Sequence, residues 1–235
     1  MAKQKSRLTS DERQLLKELL VRYDDNRPIV EVMLKQLSNA ILGSPALMAH
    51  VHSTKGRLKD TAHLERKLQK KMLEAREKGR KFLVTEANLL YRINDLAGFR
   101  ILHLHTQQIV AIDRELRKVL NEYRFPLLEP PTARTWDDES REFFRSAGIR
   151  TRTSPKMYTS VHYVVESNSN TKATCEIQVR TLAEELWGEV DHTMNYPEAS
   201  PIPACREQIK VLARVTSSCS RLVDSIFRSA AEDDQ

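Results

Sequence analysis

Two β-rich runs lying close together constrain this chain most. Residues 160–167 and 173–179 are joined by the polar stretch Asn168-Ser169-Asn170-Thr171-Lys172, and the three together read as a hairpin. Upstream, Phe99-Arg100-Ile101-Leu102-His103-Leu104-His105 is apolar and nearly continuous, the pattern of a buried strand. A sheet must therefore form, and the rest of the chain must cover it.

The covering segments read as helices. Residues 9–45 predict two of them. Ser10 caps the first, whose Leu15, Leu16, Leu19 and Leu20 recur at helical spacing. Asp24-Asp25-Asn26 interrupts it, and Pro28 starts a second that carries Ile29, Val32, Leu34 and Leu37 up to Gly43-Ser44-Pro45. Residues 49–59 alternate loosely, as a strand would. Asp60 then caps a long charged helix running to about Gly79, and Thr85 caps a shorter one leading into Asp95. Ile109, Ile112, Leu116 and Leu120 predict a helix, the proline-rich residues 127–135 a loop, and residues 137–147 and 182–194 two more helices. Pro197, Pro201 and Pro203 set off a last helix over 204–230. The expected fold is α+β: a helical extension over residues 1–48, a mixed βαβ–hairpin core over 49–197, and a C-terminal helix within 198–235. Ile209, Leu212, Cys219, Val223 and Ile226 of that last helix stand near heptad spacing, broken by Thr216. They read either as packing on the domain body or as a contact between copies of the chain.

A length of 235 residues suits one domain with helical extensions. No apolar run is long enough to span a membrane, and the basic N-terminus lacks the apolar segment of a secretory signal, so a cytoplasmic protein is expected. Cys175, Cys205 and Cys219 show neither CxxC nor His-pair spacing and read as reduced thiols. The net charge is +6, and its distribution says more than its size. From Lys55 to Lys81 there are eleven Lys or Arg against four Asp or Glu, which accounts for the whole surplus. Such a run is either a solvated helix face or a phosphate-binding surface.

Four groups of residues suggest chemistry. Lys59, His63 and Lys67 are spaced i, i+4, i+8 and share a helix face just after Arg57. Convergent cations of this kind suit a polyphosphate, and with only six glycines and no P-loop spacing, phosphate would be held by side chains. Asp95 and Glu176 each stand beside an apolar strand and suit Mg²⁺, which takes few carboxylates together with waters and substrate phosphates. Taken singly, Asp95 also reads as a turn cap and Glu176 as a strand-face charge. Tyr158 at the mouth of a strand can stack on a base, and His162 can hydrogen-bond a ribose or phosphate. In Trp187-x-Glu189-x-x-His192-x-x-Asn195-Tyr196, Trp187 reads as core and Glu189 with His192 as a pair at i, i+3.

Taken in order, Arg57-x-Lys59 with His63 and Lys67, Asp95-Leu96-Ala97-Gly98-Phe99-Arg100, Tyr158-x-Ser160-x-His162, Glu176-Ile177-Gln178-Val179-Arg180-Thr181, and Trp187 with His192 and Tyr196 resemble the RelA/SpoT-type alarmone synthetase domain. The resemblance covers roughly residues 50–197 and is to the short, single-domain members. It implies a nucleotidyltransferase-like mixed sheet flanked by helices. The implied activity moves the β,γ-diphosphate of ATP onto the ribose 3′-hydroxyl of GDP or GTP, giving (p)ppGpp and AMP.

Carried over by motif, Arg57, Lys59, His63 and Lys67 hold ATP, with Arg100 near its phosphates. Asp95 and Glu176 hold Mg²⁺, and Glu176 also receives the proton of the attacking hydroxyl. Tyr158, His162 and His192 hold the acceptor. His63 stands where the family usually has serine, and Met157 where glycine is common, which makes the Tyr158 loop less free in φ and bulkier near the base. None of the seven histidines is followed by aspartate, so the His-Asp pair of the family's hydrolase half is missing and synthesis without hydrolysis is expected. Two further readings stand beside this one. In one, the same chemistry acts on tRNA 3′ ends or adenine nucleotides. In the other, the chain is a non-catalytic nucleotide or RNA-binding module.

Overall fold

The computed structural model describes residues 7–195 and 199–233, so Tyr196 and Pro197 of the sequence motifs lie outside the described residues. The chain opens with α1 (Ser10–Leu42) and the single turn α2 (Pro45–Met48), then β1 (Ser53–Leu58) and α3 (Thr61–Glu77). The short α4 (Leu89–Arg92) leads to β2 (Ala97–His103), α5 (Gln108–Glu122), β3 (Thr132–Thr135), α6 (Asp138–Ser146) and β4 (Arg150–Thr153). The hairpin β5 (Ser160–Glu166) and β6 (Thr174–Thr181) follows, then α7 (Leu182–Asn195) and α8 (Pro203–Asp233). Among the described residues the strands form one mixed six-stranded sheet in the order β1-β2-β6-β5-β3-β4. β2 runs parallel to β6 and β3 parallel to β4, and the other neighbours are antiparallel.

The two expected N-terminal helices are one. Thr9, not Ser10, caps it: the Thr9 hydroxyl accepts from the Glu12 N–H at 3.2 Å, and the Glu12 carboxylate accepts from the Thr9 N–H at 2.8 Å. Pro28 lies inside the helix, where it forfeits a main-chain hydrogen bond at a cost of about 3 kcal/mol. Packing overrides it. Leu16, Leu19 and Tyr23 before the proline and Val30, Met33 and Leu37 after it are all buried at three- and four-residue spacing. Each contributes roughly 1.5–3 kcal/mol by burial, so together they exceed the proline penalty several-fold. These side chains share one core with Phe99, Ile101, Tyr163, Ile177 and Val179 from the sheet.

Three smaller expectations are also corrected. α4 begins after Asn88 rather than at Thr85: the Asn88 side chain accepts from the Thr85 N–H and donates to the Leu83 carbonyl, so it orders the turn ahead of the helix. The proline-rich stretch taken as a loop contains β3, which is too short for a period to show. β4 was not anticipated at all: its sequence, Arg-Thr-Arg-Thr, has no apolar residue, because it is the exposed edge of the sheet. The three cysteines are free thiols, and among the described residues no helix is long and apolar enough to cross a membrane.

The near-heptad row of α8 divides. Ile209 is buried, with Leu212 and Val223 half-buried, whereas Cys219 and Ile226 are exposed. A second small cluster forms where α7 meets α8, with Trp187, Ile209 and Ala213 buried and Met157 and Tyr158 packed against them.

Candidate active site

The loop between β1 and α3 builds one wall of a cleft. Asp60 caps α3, accepting from the N–H groups of Ala62 at 2.9 Å and His63 at 3.2 Å. Lys59 is fixed by its main chain: its N–H donates to the Leu96 carbonyl at 2.8 Å, and the Tyr23 hydroxyl of α1 donates to its own carbonyl at 2.5 Å. The Lys59 ammonium then donates to Asp95 Oδ2 at 2.8 Å, and Lys67 of α3, eight residues on, donates to Oδ1 at 2.5 Å. Burial pushes the Asp95 carboxyl up, but the charges of Lys67 and Lys59 outweigh it and hold the group below the usual carboxylate range. Asp95 is therefore ionised at neutral pH.

The cleft beside this clasp measures about 530 Å³ and is lined by Arg57, His63, Lys67, Asp95 and, from α7, His192 and Asn195. The His63 and His192 rings stand 6.3 Å apart, and burial together with the Arg57 charge lowers the His192 pKa. Arg66, Lys70, Lys71 and Lys156 also line it. The sequence singled out none of these four, although Arg66, Lys70 and Lys71 lie in the basic run read as a solvated face or a phosphate-binding surface, and Lys70 and Lys71 follow Lys67 by three and four residues and so share its face.

Strand register assembles the rest. Arg57, Gly98 and Glu176 are opposite one another across β1, β2 and β6, and Lys55, Arg100, Gln178 and His162 across four strands. All point to the face opposite the core, since Ala97, Phe99, Ile177 and Val179 alternate with them and are buried. Arg57 lies over Gly98: a Cβ there would make ordinary contact at 3.5 Å with the Arg57 side chain. Arg57 thus lines the cleft with Asp95 and also lies over the strand position beside Glu176. Asp95 shares the cleft with Arg57, and Glu176 lies across Gly98 from Arg57, each carboxylate with its own partners.

Glu176 Oε1 accepts from His162 Nδ1 and from Gln178 Nε2, both at 2.7 Å. Burial pushes Glu176 up, and these bonds with the His162 charge pull it down further, to about 2. Gln178 was legible as the next residue on the same strand face. Tyr158 completes this half of the site. Its hydroxyl donates to Gln178 Oε1 at 3.4 Å, the Arg180 guanidinium lies 5.5 Å from its ring centre, and the His162 and Trp187 rings stand 5.7 and 6.3 Å away. Met157, where a glycine was missed in the sequence, adopts the glycine-like conformation all the same, with φ of 52°.

α7 lies over the polar face. Arg100 pairs with Glu185 at 2.7 Å and with Glu189, and Arg180 pairs with Glu185. Arg100 is thus held by α7 acids, Glu185 and Glu189, and the Glu189 charge also acts on His192, three residues on. Gly188 of the helix lies against Arg180: an added Cβ would stand 2.6 Å from its guanidinium, which would have to shift. Trp187 is core, as expected, and its Nε1–H donates to the Ile209 carbonyl at 3.0 Å.

This arrangement, a mixed sheet with one apolar and one charged face and long helices at both ends of the chain, is the fold of the small alarmone synthetases. It superposes on small alarmone synthetase 1 from Bacillus subtilis bound to its product pppGpp with a TM-score of 0.59, at 22% identity over 93% of this chain and 98% of that one. The same synthetase bound to AMPCPP gives 0.57, at 20% identity over 92% and 97%. A GTP pyrophosphokinase family protein from Streptococcus pneumoniae gives 0.55, at 18% identity over 96% and 97%. Residues 56–201 match the family model described as the region found in RelA / SpoT proteins. The chain belongs to the RelA/SpoT family. No curated protein sequence matches it.

Proposed function

We propose that the protein is a pyrophosphokinase that transfers the β,γ-diphosphate of ATP to the ribose 3′-hydroxyl of GDP or GTP, giving (p)ppGpp and AMP. One observation carries this reading: a cationic cleft ending at Asp95 opens on the same sheet face as Glu176, with Tyr158 and His162 beside it. Family membership and the fold shared with a synthetase described with pppGpp and with AMPCPP support it.

In this reading Arg57, Lys59, His63 and Lys67 bind the ATP phosphates, and Arg100 supports that wall from its α7 clasp. Tyr158 stacks on the acceptor base while His162 and His192 position the acceptor. The 3′-oxygen attacks the β-phosphorus, the bond from that phosphorus to the bridging oxygen of AMP breaks, and the hydroxyl proton leaves toward Glu176. Positioning and cationic stabilisation of the phosphoryl oxygens supply most of the rate. Both hydrogen bonds to Glu176 fall on Oε1, and in this reading Oε2 accepts from the hydroxyl. A carboxylate held near 2 is a weak base, so Glu176 orients the hydroxyl and takes its proton only as the P–O bond forms.

The donor set fits Mg²⁺. Asp95 and Glu176 are both ionised. That suits an ion completing its shell with substrate phosphates and water. When bound, it would be held by Asp95 and Glu176 and would neutralise phosphoryl charge.

A second acceptor is favoured by one feature. Arg66, Lys70, Lys71 and Lys156 continue the cationic wall beyond Lys67, so a tRNA 3′ end would find backbone contacts there. A panel of GDP, GTP, ADP, ATP and bulk tRNA, with γ-labelled ATP and Mg²⁺, decides between them. Label on GDP or GTP with release of AMP is expected, label on tRNA gives the second reading, and no transfer to any acceptor removes both and leaves a binding module. A contact between copies would use the exposed row Val211, Val215, Leu222 and Ile226 of α8, and light scattering that finds only monomer would discard it.

A further inference from the structure

Beyond His162 the charged face of the sheet continues through two strands that none of the motifs contains. Register carries it outward. His162 and Ser160 of β5 stand opposite Thr132 and Arg134 of β3, and these stand opposite Arg150 and Arg152 of β4. Side chains alternate along a strand, so Arg134, Arg150 and Arg152 share the face of His162, Gln178 and Glu176. The other face of β3 and β4 is taken by α6. Ala133 joins the core with Phe144 of that helix, and the Arg145 side chain donates to the Thr151 hydroxyl at 3.2 Å. The three arginines of the polar face are exposed.

Their guanidinium groups are uncommitted. Arg100 and Arg180 on the same face pair with acids of α7, whereas among the described residues Arg134, Arg150 and Arg152 have no ion pair and no side-chain hydrogen bond. Arg150 and Arg152 also line an open cleft of about 420 Å³ with Arg145, Thr132 and Glu129, three guanidinium groups against one carboxylate. Such a balance favours an anion, and a planar guanidinium can grip a phosphate at two points. The row also begins beside the reaction site. Burial raises the Glu176 carboxyl, and the Arg134 charge adds to His162 and Gln178 in lowering it.

We propose that Arg134, Arg150 and Arg152 hold the 5′-phosphates of the acceptor and make the enzyme selective for nucleoside di- and triphosphates over the monophosphate. The proposal rests on the acceptor role given to Tyr158 and His162 above. In that reading the ATP phosphates occupy the β1–α3 end of the sheet and the acceptor 3′-oxygen lies at Glu176. Two polyphosphates repel, so the acceptor's own phosphates run the other way, toward β3 and β4. Strands are about 5 Å apart, which places Arg134 one strand and Arg150 and Arg152 two strands out from His162. A phosphate chain leaving the ribose in that direction meets one guanidinium after another. These contacts lie away from the reacting atoms and are equal in ground and transition states, so they act on KM and not on kcat.

The test measures KM for GMP, GDP and GTP as acceptors, and for ATP, in the unaltered chain, Arg134→Gln, Arg152→Gln and Arg152→Lys. In the unaltered chain KM is expected to fall from GMP to GDP. Arg152→Gln should raise KM for GDP and GTP about tenfold, the equivalent of one hydrogen bond to a charged group, with the KM for GMP and for ATP unchanged. Arg152→Lys keeps the charge and should recover part of that loss. Arg134→Gln, nearer the ribose, should raise KM for all three acceptors and leave that for ATP alone. Equal use of GMP and GDP by the unaltered chain, a rise in ATP KM, or Arg152→Gln values that match the unaltered ones overturn the proposal. So does a single-stranded RNA oligomer whose binding is lost in Arg152→Gln while the GDP KM stays put, which would assign the row to nucleic acid. Calorimetric titration with GDP and with guanosine, without ATP, tests the row apart from transfer: GDP should bind more tightly, and Arg152→Gln should narrow the gap. If that holds but nothing is transferred, the row stands and the pyrophosphokinase reading falls. If transfer proceeds with KM values indifferent to these arginines, the reading stands and the row falls.

Discussion

Glu176→Gln tests both the chemistry and the electrostatics of the site. In the folded protein the carboxyl group is held at about 2 against an ordinary 4.5, through His162 and Gln178 and despite its burial. A fall of that size corresponds to about 3 kcal/mol of preference for the ionised group in the folded state. A depressed carboxyl contributes this stability in full above pH 4.5 and loses it as pH falls toward 2. Glutamine keeps an oxygen to accept from His162 and Gln178 but carries no charge. The variant should therefore be less stable by up to about 3 kcal/mol at pH 7, a drop in Tm of roughly 6–12 °C for a chain of this size. The gap should narrow steadily below pH 4.5. Urea unfolding of both proteins from pH 7 to 3 measures it, and the comparison cancels Glu184, whose raised pKa acts in the opposite direction between 4.5 and about 7. Turnover should fall on the order of 10²–10³. Parallel stability curves with no narrowing at low pH would refute the charge-assisted clamp, and undiminished turnover would remove Glu176 from the reaction.

Two further outcomes follow from the geometry. Lys67→Met removes one of the two ammonium groups on Asp95 and one cation of the cleft, so ATP KM should rise about tenfold or more with acceptor KM little changed; a rise confined to the acceptor would place Lys67 in the wrong subsite. Met157→Val puts a β-branched side chain at φ of 52° and should destabilise by more than about 1 kcal/mol, whereas Met157→Gly trades relief of strain for lost packing on Trp187 and stays within about 1 kcal/mol; equal urea midpoints for the two would show that the left-handed turn is not held.

The sequence disclosed whatever repeats with a local period. Glu176, Gln178 and Arg180 alternate with Ile177, Val179 and Thr181, and the Asp60 cap with the Lys59–His63–Lys67 row needs only helix geometry. Pairings that depend on register were hidden. Asp95 meets Lys59 and Lys67 because β1 ends opposite the start of β2, which no spacing along the chain reveals. Arg100 meets Glu185 and Glu189 of α7, a contact decided by how that helix crosses the sheet. β4 escaped because an exposed edge strand carries no apolar signal, and α1 was divided in two because a proline penalty of one helix turn is visible in sequence while the six buried side chains that outweigh it are visible only in the fold.

The pairings that sequence could not show also govern how the site would fill. Lys59 and Lys67 spend their charge on Asp95, so the cleft is not a set of bare cations awaiting a polyanion. A phosphate arriving at these ammonium groups competes with Asp95 for them, and every contact it gains leaves the carboxylate less neutralised. Asp95 is mostly buried, so an uncompensated charge there is expensive and calls for a replacement cation at the moment the phosphate binds. In the proposed reading, binding of the polyphosphate and recruitment of a divalent ion by Asp95 would thus be coupled through the same two lysines. Apo stability and ATP affinity then draw on one interaction: a variant that weakens the clasp loosens the empty protein and the ATP site together, while Arg57, which has no part in the clasp, affects the ATP site alone.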